Sequence, residues 1–331
     1  MRLGTSLMYA GDPRSAADQV TGWERAGLDV VWVSEAYGFD APTIMGYLAA
    51  RTERVEIGSA ILPLYSRTPA LLAQTAAGLD AMSGGRAILG LGASGPQVIE
   101  GWHGVRYDKP VARTRETIAI CRAAWRREVL VNDGLYQLPL HGKPLKMLTH
   151  PVRDRIPIYV AALGEANVRM TAEVADGWIP FLYVPEKASD IWGSALSVRD
   201  PELPPLEIVA GGMLAIGDDV TDLRDLGRPL IALYVGGMGA RGRNFYHDLV
   251  SRYGYAAEAD KIQELYLSGR KAEAAAAVPA ELLERTSLIG PESYVRDRIA
   301  AFRESGVTVL NVTPIGDDAV HLLATVKEML G

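Results

Sequence analysis

The chain has 331 residues, of which 48% are apolar and 22% charged, the usage of an ordinary globular fold rather than a disordered, collagen-like or coiled-coil chain. With 34 Lys and Arg against 40 Asp and Glu, the net charge is −6, a poor balance for non-specific contact with nucleic acid or a membrane surface. The one cysteine, Cys121, excludes an intrachain disulfide, and no run approaches the ~20 apolar residues of a membrane span.

Residues 2–7 read as a short strand. Asp12-Pro13 then gives an N-cap followed by proline at the first helical position, and the helix runs to Gly27. The run Leu28-Asp29-Val30-Val31-Trp32-Val33 is a second, buried strand. A helix over 41–51 follows, then a third strand over 55–62. Thr68-Pro69 opens a third helix, which ends near Gly84-Gly85, and residues 87–92 form a fourth strand. A long helix over 110–127 comes next. Further strands fall at 156–162, at 177–181 and from 206 to 213, and an eighth at 307–312. Helices over 165–175 and 320–330 belong to the same alternation, and Gly290-Pro291-Glu292 starts the helix before the last strand.

Eight strand–helix units predict an α/β fold of the closed (β/α)8 TIM-barrel type. A doubly wound sheet carries fewer strands. Length alone suggests two domains, yet no Pro-, Ser- or Gly-rich linker divides the chain. The expectation is therefore one domain over 1–331 with two insertions. Residues 128–155 read as a hairpin, with strands 129–131 and 135–137 around Asn132-Asp133-Gly134. Residues 236–286 read as inserted helices.

In such a barrel, chemistry sits where the strands end. Those ends carry Ser34-Glu35-Ala36-Tyr37, Ser59-Ala60-Ile61-Leu62, Gly92-Ala93-Ser94-Gly95-Pro96-Gln97 and Leu163-Gly164-Glu165. Gly90-Leu91-Gly92-Ala93-Ser94-Gly95 matches G-x-G-x-x-G, but a dinucleotide fingerprint belongs to the first strand–helix turn and needs an unbroken helix behind it. Here the motif follows the fourth strand, and Pro96 and Gly101 interrupt what comes next. It serves equally a flat ligand lying on backbone or a plain tight loop. Gly164-Glu165 opens a helix whose free N–H groups suit a phosphate, or is simply a helix start. Glu35 closes an apolar strand and is the candidate acid or base, against the reading of a loop acid or an internal ion pair. The five histidines, His103, His141, His150, His247 and His321, show no zinc spacing, so no metal is expected. Arg241-Gly242-Arg243 and Lys143 with Lys146 are small basic clusters.

Four segments occur together in matching order: residues 28–35, Gly58-Ser59-Ala60-Ile61-Leu62-Pro63, residues 89–96 and Val174-Ala175-Asp176-Gly177-Trp178. With Gly236-Gly237-Met238-Gly239-Ala240-Arg241-Gly242 and Asn244-Phe245-Tyr246, they resemble the bacterial luciferase-like superfamily. The branch they look most like is its coenzyme F420-dependent oxidoreductases, relatives of methylenetetrahydromethanopterin reductase. The resemblance implies hydride transfer between coenzyme F420 and a small organic substrate at the barrel mouth. The alternatives are an FMN-dependent luciferase-like monooxygenase and a non-enzymatic flavin-binding protein. It implies a non-prolyl cis peptide at Ser59–Ala60 behind the ring. Leu62, Gly92, Ala93 and Ser94 would line the ring and its side chain, with the phosphate at Gly164 and Glu165. Glu35 would be the acid or base, with Tyr37 and Gln97 as polar contacts. The family's glucose-6-phosphate dehydrogenases carry Asp-His where this chain has Ser34-Glu35, and a glutamate where it has Pro96 or Gln97, which argues against sugar-phosphate oxidation. The resemblance also implies a homodimer or higher homo-oligomer. The lone thiol, together with a start that lacks signal-peptide features, predicts a cytoplasmic enzyme without nucleic-acid or membrane partners.

Overall fold

A computed structural model of the protein describes residues 1–9, 11–239, 241–242 and 244–331. Ala240 of the glycine-rich motif and Arg243 of the basic cluster lie outside the described residues. Among the described residues, eight parallel strands close into a barrel: β1 (Arg2–Ser6), β2 (Val30–Val33), β3 (Glu56–Ser59), β4 (Ala87–Gly92), β5 (Ile158–Ala161), β6 (Gly177–Ile179), β7 (Glu207–Ala210) and β8 (Val309–Pro314). Each pairs with the next in sequence, and Arg2 in register with Val309 joins β8 back to β1. The TIM-barrel expectation holds. No helix among the described residues is long and apolar enough to cross a membrane.

Around the barrel lie α1 (Pro13–Arg25), α2 (Ala41–Arg51), α3 (Pro69–Ser83), α4 (Pro110–Trp125), α5 (Glu165–Val174), α6 (Pro185–Leu196), α7 (Glu292–Glu304) and α8 (Ala319–Leu330). The first three start where their caps predict. Asp12 accepts from Arg14 N and Ser15 N, Asp40 from Thr43 N, and Thr68 from Leu71 N, each with proline in the first turn. Such caps are worth ~1 kcal/mol each.

The strand pleat sorts the interior into layers. At the bottom, Arg2 pairs with Glu56 and with Glu207, at 2.7 Å, and donates to the Tyr159 hydroxyl at 3.0 Å. Above it, Trp32 and Tyr159 lie with ring centroids 5.6 Å apart among Val30, Ile88, Val209 and Val309. Glycines opposite make the room: a Cβ on Gly58 would stand 2.3 Å from Trp32, and one on Gly177 2.5 Å from Tyr159. The layer above is small, with Ala60, Gly92 and Ala161. A bulky plug under a small-residue layer leaves a depression at the C-terminal mouth.

Four local readings change. The seventh strand breaks after Ala210, because Gly211 and Gly212 run so close to Asn311 O and Thr286 O that any Cβ would stand 2.1 and 2.0 Å from them. The chain resumes as Met213–Ile216, paired with the end of β8 and with Leu288–Gly290. In the hairpin, Asn132 and Asp133 are strand residues opposite Leu138 and Gln137. The turn moves to 134–136 because Glu116 of α4 accepts from Leu135 N, Tyr136 N and Asn132 Nδ2. After β4, a short helix Pro96–Gly101 forms where none was expected. The helical insertion begins at Arg228–Gly237, earlier than 236, and continues through Phe245–Val250, Ala256–Leu267, Lys271–Ala276 and Ala280–Arg285.

Candidate active site

The floor of the mouth is laid by β3, β4 and β5. The ladder between β2 and β3 extends past Ser59, since Ala60 N still donates to Val33 O at 2.8 Å. The non-prolyl cis peptide therefore falls one residue later than expected, at Ala60–Ile61 instead of Ser59–Ala60. Ile61 then turns across toward β4: a Cβ on Gly92 would lie 2.7 Å from Ile61 Cγ1 and 3.5 Å from Ala161 Cβ. Gly92, Ile61, Ala60 and Ala161 thus form one shallow surface that is closed to any larger residue at position 92.

The expected site residues divide. Ala60 packs on the interior cluster and Gly92 lies on the floor. Ser94 is half-buried just beyond β4, at φ 57°. Its carbonyl lies 3.5 Å from the Tyr107 hydroxyl. Ser59 is fully buried, and its hydroxyl both donates to Gly90 O at 2.8 Å and accepts from Gly90 N at 2.9 Å. It stitches β3 to β4, where a Cβ on Gly90 would meet Ser59 O at 1.7 Å. Leu62 pairs beside Leu91 and packs in the outer core. Ala93 packs with Leu64, Tyr65 and Ile99 in a satellite cluster. Leu62 thus lies in the outer core and Ala93 in the satellite cluster.

Glu35 is likewise drawn inward. Both its oxygens engage Arg67, Arg67 Nη2 at 2.9 Å, and its Oε2 also accepts from Ala41 N at 2.8 Å. The two side chains are 6% and 13% exposed. This buried pair ties the loop after β2 to the start of α2 and to the loop before α3. The acid-or-base reading of Glu35 yields to that of an internal ion pair. Tyr37, 63% exposed, and Gln97 stay on the rim.

At the far side, the β5 end is held by two indoles. Trp178 Nε1 donates to Ala162 O at 2.8 Å and Trp192 Nε1 to Leu163 O at 3.1 Å. This fixes Gly164 as the cap of the ten-residue α5, with no side-chain hydrogen bond closing its first turn. A Cβ on Gly164 would touch Phe245 at 3.4 Å. Glu165 is exposed, so what it offers the mouth is its backbone N–H.

Sequence reasoning missed the opposite wall. Phe181, beyond β6, meets Tyr234 at 4.3 Å and Tyr246 at 5.6 Å between ring centroids, and the two tyrosines meet at 4.7 Å. Asn244, 2% exposed, assembles the wall. Its Nδ2 donates to Tyr234 O and Val235 O at 2.9 and 2.8 Å, and its Oδ1 accepts from Tyr246 N at 2.9 Å. Tyr253 donates to Leu182 O at 2.7 Å and so pins the loop that carries Phe181. Burial pushes the Tyr246 phenol well above its ordinary value, with Tyr234 and Tyr107 adding to it. Tyr234 is raised by burial and by Tyr37, and Tyr107 by burial. The one signal in the sequence was the Asn244-Phe245-Tyr246 run, noticed for its resemblance and not for a role.

The luciferase-like monooxygenase family model matches residues 1–309. A Mycobacterium tuberculosis protein provisionally named a coenzyme F420-dependent oxidoreductase is 42% identical, over 98% of each chain. The 5,10-methylenetetrahydromethanopterin reductase of Archaeoglobus fulgidus is 26% identical over 89% of this chain and 88% of its own. Among solved structures, the coenzyme F420-dependent tetrahydromethanopterin reductase of Methanopyrus kandleri superposes with a TM-score of 0.78 at 22% identity. That match covers 99% of this chain and 97% of the other, a likeness of fold.

Proposed function

This chain belongs to the luciferase-like monooxygenase family, and from that premise we propose that it is an F420-dependent oxidoreductase, passing a hydride between coenzyme F420 and a small organic substrate at the barrel mouth. The observation that carries the reading is the floor of Ala60, Ile61, Gly92 and Ala161, a small-residue surface at the mouth in which the Ile61 side chain lies where a Cβ at position 92 would stand. It fits a flat tricyclic ring lying on backbone. The whole-length similarity to the mycobacterial F420-dependent relative supports this cofactor over FMN.

In this reading Ala60, Ile61 and Gly92 bear one face of the ring and Ser94 lies along its edge. The open first turn of α5 at Gly164 and Glu165 receives the phosphate through N–H groups at the positive end of the helix dipole. The bound deazaflavin supplies the hydride chemistry. The chain's own work is orientation: holding two flat reactants face to face replaces a costly encounter by a preset one. The Glu35–Arg67 pair keeps the mouth's loops in place.

Titration of the purified protein with F420 and, separately, with FMN, followed by ligand fluorescence, tests this. F420 is expected to bind at concentrations at least about tenfold lower, a difference of ~1.4 kcal/mol. Gly92→Val, whose side chain would push Ile61 off the floor, is expected to weaken F420 binding by more than it lowers stability, read by F420 titration and thermal melts side by side. Tighter binding of FMN overturns the proposal. A tight F420 complex inert to every carbonyl, alcohol and alkene offered favours the non-enzymatic reading.

A further inference from the structure

The wall of Phe181, Tyr234 and Tyr246 has no part in the cofactor cradle, yet it is built with care. Two helices of the insertion and the loop after β6 are locked together by Asn244 and Tyr253 to present it. The wall stands at the mouth, because Phe181 follows β6 at its C-terminal end and Phe245, next to Tyr246 in the chain, would lie 3.4 Å from a Cβ on Gly164. Among the described residues, neither the Tyr234 nor the Tyr246 hydroxyl has a hydrogen-bond partner. His247, next to Tyr246 in the chain, is paired with Asp260 at 2.9 Å. A surface of aromatic faces and free phenols cannot neutralise an ion drawn out of water, whose desolvation would go uncompensated.

We propose that this wall is the substrate site, that it takes an uncharged carbonyl compound with a flat apolar body, and that Tyr246 donates its phenol proton to the carbonyl oxygen. The proposal rests on the F420 reading for the source of the hydride. The carbonyl π bond opens, its carbon gains the hydride as reduced F420 is oxidised, and its oxygen gains the Tyr246 proton. The phenolate regains a proton from solvent. In reverse the same groups oxidise an alcohol. A tyrosine is protonated at neutral pH, the state a donor needs, and burial shifts Tyr246 further in that direction. Phe181 and Tyr234 offer an offset, edge-to-face setting for a flat ring.

The test uses the full chain without cofactor and acetophenone labelled with carbon-13 at its carbonyl. Infrared difference spectra of the bound probe are expected to show the carbonyl stretch at lower frequency in wild type than in Tyr246→Phe. Affinity is expected to fall about three- to tenfold in the variant, the worth of one hydrogen bond. Benzoate, of similar shape but charged, is expected to bind wild type at least about tenfold more weakly than acetophenone. Equal frequencies in wild type and Tyr246→Phe, or equal binding of benzoate, overturn the proposal. If Tyr246→Phe does not fold, 3-fluorotyrosine at position 246 decides: its more acidic phenol lowers the frequency further, and an unchanged stretch overturns the proposal. F420 that fails to bind while the carbonyl shift persists refutes the cofactor reading alone. F420 that binds without any carbonyl shift refutes this one alone.

Discussion

Replacing Glu35 by glutamine separates an anchor from a catalyst. The carboxylate holds Arg67 through both its oxygens and also accepts from Ala41 N, with the two side chains only 6% and 13% exposed. Removing its charge leaves the Arg67 guanidinium with the Ser66 hydroxyl, at 3.1 Å, as its other side-chain partner. Breaking one partner of a buried pair costs about 3–5 kcal/mol. The lower end applies here, because Arg67 sits in a loop near the mouth and can swing toward water. An unfolding entropy of ~2.1 cal/mol/K per residue over 331 residues is ~0.7 kcal/mol/K. A loss of ~3 kcal/mol therefore lowers Tm by about 4 °C. The double variant Glu35→Met with Arg67→Met removes both charges and is expected to recover part of that loss, since no unpaired ion remains. Thermal melts of the wild type, both single variants and the double variant measure the coupling directly. The reasoning fails if Glu35→Gln melts with the wild type while turnover of a carbonyl substrate falls a hundredfold or more. That result would restore Glu35 as the acid or base.

Other outcomes follow from the same geometry. Glu24 is nearly buried, and its carboxylate accepts from the backbone N–H groups of Glu53, Arg54 and Val55. Burial alone would raise its pKa, but those three donors hold it below the ordinary 4.5. Its contribution is therefore full above about pH 4.5 and is lost as pH falls through the lower, folded value. Glu24→Gln should flatten the acid limb of stability against pH, and an unchanged limb in urea melts refutes the assignment. Cys121 is fully buried and its thiol is pushed up to about 12 by burial, so a thiol reagent should label the protein only on unfolding. Asn244→Ala removes a helix cap and the donor to two carbonyls, a loss of ~2 kcal/mol. Denaturant melts should show that loss, with F420 affinity kept and carbonyl-probe affinity reduced.

The barrel was legible because its signals are local. Caps such as Asp12-Pro13 and Thr68-Pro69 mark helix starts by hydrogen bonds within three residues, and apolar runs such as Val30–Val33 mark buried strands. The mouth was legible as a set of strand ends, but not which residues there face it: Ala60 and Gly92 lie toward the barrel interior, Leu62 in the outer core and Ala93 in a satellite cluster. For Glu35 the sequence left an acid or base and an internal ion pair side by side, because its partner Arg67 lies 32 residues away and carries no local signal. The hairpin turn moved for the same reason: Glu116, on α4, selects which residues bend.

The aromatic wall lay further from reach, and the reason bears on what the fold can vary. Phe181, Tyr234 and Tyr246 belong to three elements, joined by side-chain to backbone hydrogen bonds from Asn244 and Tyr253. None of these contacts enters the barrel's ladder, while the cradle is made almost wholly of that ladder and its glycines. The two parts are therefore energetically separable. A change at Gly92 or Gly90 collides with neighbouring side chain or backbone and threatens the fold or the cofactor. A change at Tyr234 or Tyr246 alters only what the mouth admits. In the reading proposed above, the cofactor is fixed by the barrel and the substrate by an appendage. Exchanging the segment from Arg228 to Val250 for that of another barrel of the family, with Phe245 kept against Gly164, should then move carbonyl-probe preference and leave F420 affinity within about threefold, a difference of ~0.6 kcal/mol. A chimera that folds but loses F420 would show the two parts to be coupled.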